Sequence, residues 1–92
     1  MKNNNYGIDE KYLLLLGFKL QSKIDKGFFE KYYITPIGLF SIYVNLKDCK
    51  FWIYTYEVKD RQQNIVGTRE LKISRLPKVL SWLEGKEKVI NL

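Results

Sequence analysis

Cys49 stands between Lys47 and Lys50, and it is the side chain in this sequence best suited to covalent chemistry. Neighbouring positive charge favours the thiolate, the nucleophilic form of the group. A thiolate still needs a base or an oxyanion hole before it becomes a catalyst. Histidine, the usual base near neutral pH, is absent from all 92 residues. Its absence removes the histidine-dependent triads and dyads, so the sequence predicts a passive cysteine and no enzyme. One cysteine and scattered carboxylates cannot supply the ligand shell of a zinc site, and no metal is expected. Asp9 and Glu10 suit a helix N-terminus, and Asp60 stands alone, so no acidic set for a two-metal site emerges. The glycines at 7, 17, 27, 38, 67 and 85 are isolated, which argues against a glycine-rich nucleotide loop and against a small-molecule cofactor.

Two constellations could bind rather than react. The first is aromatic: Tyr32, Tyr33, Tyr43, Trp52, Tyr54 and Tyr56, with Phe28, Phe29, Phe40 and Phe51. Between Phe51 and Tyr56 the residues alternate, Phe51 and Ile53 on one face of a strand and Trp52, Tyr54 and Tyr56 on the other. Rings on both faces either pair across strands and stabilise the sheet, or stay open to anchor a protein or stack on bases. The second is basic. From Lys59 to Lys78 there are six cations, Lys59, Arg61, Arg69, Lys72, Arg75 and Lys78, against Asp60 and Glu70. All three arginines fall there, and arginine is the better bidentate partner for phosphate or carboxylate. A net charge of +6 and a pI near 9.4 are compatible with nucleic-acid binding. The same charges equally suit an edge strand kept from aggregating.

The elements that must position these residues follow from the pattern. Asp9 is a fitting N-cap for a short helix ending about Leu16, with Gly17 at C′ and an Ile8–Leu13 hydrophobic staple. A strand follows from Phe18, with Phe18, Leu20 and Ile24 alternating against polar neighbours, then a tight turn at Asp25 to Gly27 where Gly27 could take a positive φ. Phe28 to Ile34 is the second strand, and Thr35-Pro36-Ile37-Gly38 is a turn with Pro36 at i+1. Leu39 to Leu46 alternates most cleanly, with Phe40, Ile42, Val44 and Leu46 on one face and Ser41, Tyr43 and Asn45 on the other. A polar link, Lys47 to Lys50, leads to the strand Phe51 to Val58. Lys59 to Asn64 reads as the longest polar loop, before a last strand from Ile65 to Ile73 that Gly67 could bulge. Ser74 or a neighbour caps a final helix, Pro77 suits its first turn, and Gly85 ends it just before Lys86 and Lys88. Leu76, Val79, Leu80 and Leu83 give that helix one apolar stripe.

The predicted fold is therefore α+β: an antiparallel meander of four to five strands with a short N-terminal helix and a C-terminal helix on one face. At 92 residues it is expected to be a single domain, frayed over residues 1–7 and with a tail at 89–92. The free thiol favours a reducing compartment, and the polar start lacks a signal-peptide core, so a cytoplasmic location is expected. No run approaches the ~20 apolar residues of a membrane span.

The order of elements, with Leu16-Gly17-Phe18 closing the first helix, a tyrosine-rich meander, and Leu76-Pro77 opening the last helix, resembles small proteins of bacteriophages and prophages. The resemblance implies an accessory or host-interacting binder and transfers no site residues. The expected partner is a protein or a second copy of the chain, held by an aromatic sheet face or a sheet edge with Tyr43, Trp52, Tyr54 and Tyr56 as candidates. The alternative is nucleic acid, held by the basic segment.

Overall fold

The computed structural model describes residues 7–21 and 27–90, with side chains through residue 85. It has the expected α+β architecture, a five-stranded antiparallel meander in the order β1-β2-β3-β4-β5. The elements are α1 (Glu10–Leu15), β1 (Lys19–Leu20), β2 (Phe28–Thr35), β3 (Gly38–Asn45), β4 (Lys50–Lys59), β5 (Gln62–Lys72), a 3-10 turn (Ile73–Arg75) and α2 (Leu76–Ile90).

The first helix is closed at both ends by its own sequence. Asp9 accepts the Tyr12 amide at 2.9 Å, satisfying one orphan donor of the first turn. At the other end Gly17 turns left-handed at φ +97°, and Phe18 and Gly17 donate to the Leu13 and Leu14 carbonyls. This is the Schellman pattern, and Phe18 and Leu13, the residues it brings together, are both buried. Ile8 is buried in the same cluster as Leu13, as the staple requires. Lys31 reaches from β2 to the Leu16 carbonyl at 2.6 Å and lies over the Tyr33 ring, placing positive charge at the helix C-terminus.

Both helices pack on one face of the sheet. Phe29 and Tyr33 of β2, Ile42 and Val44 of β3 and Phe51 of β4 meet Ile8, Leu13 and Phe18 from the N-terminal side and Leu76, Leu80 and Leu83 from α2. The α2 stripe is thus the one its spacing predicts, with Val79 packed at its margin. Among the described residues no helix is long and apolar enough to cross a membrane.

Several local expectations are corrected. Phe18 does not begin a strand, because its amide closes the helix; β1 is confined to Lys19–Leu20. The expected continuation to Ile24 and the turn at Asp25 and Lys26 lie outside the described residues, as do the N-terminal residues 1–6 and residues 91–92. Gly27 is not left-handed: the glycines with positive φ among the described residues are Gly7, Gly17 and Gly38. Its missing side chain serves a close approach instead, since a Cβ there would stand 3.0 Å from Lys47 Cγ. The loop expected from Lys59 to Asn64 is a two-residue turn, Asp60-Arg61, with φ of 55° and 66°. Two successive left-handed residues make the type I′ geometry that matches strand twist, so pairing resumes at once. Ser74 lies inside the 3-10 turn, whose N-cap is Lys72 with no side-chain cap bond. Gly85 does not end α2, which runs on through Lys86 and Lys88 to Ile90. A helical glycine costs only about 1 kcal/mol relative to alanine, too little to stop a helix by itself.

Candidate functional site

Residues opposite one another in an antiparallel pair project from the same face, so the register assigns every side chain to a side. The face away from the helices carries four cross-strand rows on β2 to β5. They are Ile34, Leu39, Tyr56 and Ile65; Tyr32, Ser41, Tyr54 and Thr68; Glu30, Tyr43, Trp52 and Glu70; and Phe28, Asn45, Lys50 and Lys72. All four aromatic residues expected at an interface, Tyr43, Trp52, Tyr54 and Tyr56, stand on this open face and are half-buried.

Their rings touch. Phe28 stacks on Tyr43 with centroids 5.5 Å apart, Tyr43 tilts against Trp52 at 6.1 Å and meets Tyr54 edge-on at 6.5 Å, and Tyr32 stacks on Tyr56 at 5.7 Å. These are favoured offset and edge-to-face distances. Ser41, at the centre, is fully covered by its neighbours, and its hydroxyl is 3.0 Å from the Tyr56 hydroxyl. A small residue there lets the tyrosines close over the backbone. The hydrogen bond that the Tyr32 hydroxyl donates to Tyr56, then burial, then the Glu30 charge hold the Tyr32 phenol protonated, raising its pKa from 10.0 to about 12. Burial, then Tyr56 and Glu30, raise Tyr54 as well. Tyr32 and Tyr54 therefore stand as neutral phenols throughout the physiological range.

Toward the β2–β3 and β4–β5 turns the face becomes apolar. Ile34 is 67% exposed, Ile65 55% and Val58 60%. Val58 shares the parity of Tyr56 and lies beyond the last pair of β3 with β4, Leu39 with Tyr56, where β4 and β5 continue as a two-stranded arm. Val66 has no partner between the Tyr56–Ile65 and Thr55–Gly67 pairs; this is the bulge that Gly67 suggested.

Glu30, Ile34, Leu39 and Ile65 belong to the face without having been picked out from the sequence, and Phe28 and Tyr32 were given no side. A signal existed: with Thr35-Pro36-Ile37-Gly38 as a two-residue turn, Thr35 opposite Gly38 fixes Tyr32 opposite Ser41 and Glu30 opposite Tyr43.

The basic residues do not gather on one surface. Lys59 flanks the β4–β5 turn and Arg61 occupies it, Arg69 faces Ile53 on the helix-bearing side, and Lys72 lies on the open face opposite Lys50. Arg75 is in the 3-10 turn and Lys78 in the first turn of α2. Lys50 is paired with Glu70 at 3.2 Å. Cys49 is half-buried in a left-handed position at φ 57°, with Sγ 3.8 Å from the Leu46 carbonyl oxygen and its side chain against the core.

Comparison with protein-family models, curated proteins and solved structures returns no match. The reading of this face rests on its own geometry.

Proposed function

We propose that the chain is a non-enzymatic interaction protein that docks a protein partner on the open aromatic face. The observation that carries this reading is the one-sided cover: both helices lie on one face, while six touching rings and an exposed isoleucine pair lie on the other. Tyrosine and tryptophan supply much contact area at low entropic cost, which is why they dominate interface hot spots. A second copy of the chain is one such partner. The resemblance to small bacteriophage and prophage proteins fits an accessory binder of this kind. Nucleic-acid binding through residues 59–78 has weaker support, because the three arginines are dispersed over the turn, the helix-bearing side and the 3-10 segment.

The test is site-specific photo-crosslinking in the native cell, with benzoylphenylalanine replacing Tyr32 in one variant and Lys78 in another. The expected result is a nuclease-resistant protein adduct, or a covalent dimer, from position 32 alone. Adducts that form equally from both positions, or that vanish with nuclease, overturn the reading.

A further inference from the structure

The Tyr43–Trp52 row of the open face differs in local charge from the chain as a whole, although Lys19, Lys50 and Lys72 lie on the same face. The protein carries +6, yet the centre of the face is a field of aromatic rings, whose surfaces are electron-rich, with a carboxylate at each end of its Tyr43–Trp52 row. Glu70, at one end, is already bound to Lys50. Glu30, at the other, is half-buried between Phe28 and Tyr32 on β2 and directly opposite Tyr43, and no described salt bridge engages it. Lys19 faces it across β1 without closing a salt bridge. The Glu30 charge helps raise the Tyr32 and Tyr54 pKa values, in keeping with its register position beside these rings.

We propose that the partner presents a cationic side chain, an arginine guanidinium, which stacks on the Tyr43–Trp52 pair with its edge toward Glu30. This rests on the protein-docking reading and names the chemistry of the partner at that site. The guanidinium fits better than an ammonium because it is planar, weakly hydrated, stacks on rings and offers a two-pronged edge to a carboxylate. A phosphate at this row would meet Glu30 and the ring faces, while the cations of the face stand at its margins, Lys19 on β1, Lys50 held by Glu70, and Lys72 on β5. The exposed Ile34 and Ile65 lie two rows away in the register, about 14 Å at the usual strand rise. An extended segment with an apolar side chain four residues from its arginine spans that distance.

The experiment is an NMR titration of the full chain with a peptide carrying arginine and leucine four residues apart, with the same peptide bearing citrulline for arginine, and with a ten-nucleotide oligothymidylate. Trp52 reports the face, and Trp82, which meets Phe40 on the helix-bearing side, is an internal control. The expected result is that the arginine peptide shifts the Trp52 indole and Tyr43 ring signals but not Trp82. The citrulline peptide should bind about 3- to 30-fold more weakly, the range a partly desolvated cation–π contact gives. Glu30→Gln should produce a loss in the same direction, with the amide spectrum showing an unchanged fold. Equal binding of the two peptides, or an unchanged affinity in Glu30→Gln, overturns the guanidinium assignment and leaves protein docking standing. Trp52 shifts caused by the oligothymidylate overturn both readings. Silence of Trp52 toward every probe overturns the assignment.

Discussion

Tyr32 shows how one residue of the open face serves both the sheet and the surface. It is 47% exposed, yet its ring stacks on Tyr56 and its phenol is held protonated by the hydrogen bond it donates to the Tyr56 oxygen. The sign of the pH effect follows. The folded pKa of about 12 lies above the ordinary phenol value of 10.0, so the contribution to stability is present below pH 10 and is lost as pH rises toward 12. Tyr56→Phe keeps the stack and removes the hydrogen bond. Phenolate absorbance followed against pH should then show one tyrosine titrating closer to 10, and denaturant midpoints above pH 10 should fall less steeply than in the parent. An unchanged titration curve would mean that the Tyr56 hydroxyl is committed to Ser41 alone. Cys49 gives the contrasting lesson. A passive cysteine is expected despite its lysine neighbours; its side chain packs against the core, and Lys50 is drawn to Glu70 on the opposite strand.

At the scale of elements, what could be read in advance was whatever a side chain enforces locally. The Asp9 cap, the Gly17 stop, the Thr35 to Gly38 turn and the α2 stripe each depend on the chemistry of a few adjacent residues, and each stands as expected. The misjudged β4–β5 connection is one in which a tertiary gain outweighs an unfavourable local preference. Asp60 and Arg61 are a poor pair for a type I′ turn, which favours Asn-Gly or Asp-Gly, yet the long β4–β5 ladder holds both in the left-handed region. Arg61 retains the local cost, about 1 kcal/mol or slightly more for a residue with a Cβ. Arg61→Gly should therefore raise stability by about 0.5–1 kcal/mol, the glycine's greater entropy loss offsetting part of the relief. Urea denaturation measures it: the midpoint should rise with an unchanged slope. A lower midpoint would show that the arginine side chain makes a compensating contact along the arm.

For the molecule as a whole, the decisive fact is which face each strand residue takes, and that depends on register more than on composition. The sequence displays aromatic residues on both faces of β4, the expected protein contact, and a run of basic residues, the alternative contact for nucleic acid. Register then collects Tyr43, Trp52, Tyr54 and Tyr56 on one surface, whereas the odd offset of three positions from Arg69 to Lys72 turns them to opposite sides. The first constellation was visible in the alternation of one strand; the dispersal of the second was not, because it depends on the turn at Asp60-Arg61 and the bulge at Val66. The two candidate surfaces, the open aromatic face and the arginine positions, are thus spatially distinct, and a test can divide binding between them. Arg69→Ala with Arg75→Ala removes two exposed cations without touching the four open-face rows or any buried side chain. Binding of the captured partner should stay within about twofold in this variant, since exposed charges outside an interface change affinity by only tenths of a kcal/mol. It should also depend weakly on salt, in contrast to the steep decline that phosphate contacts impose. Calorimetric titration at two salt concentrations measures both. A tenfold loss in the double variant, together with a steep salt dependence, would move the interface to the helix-bearing side and leave the aromatic rows as a device for holding the meander together.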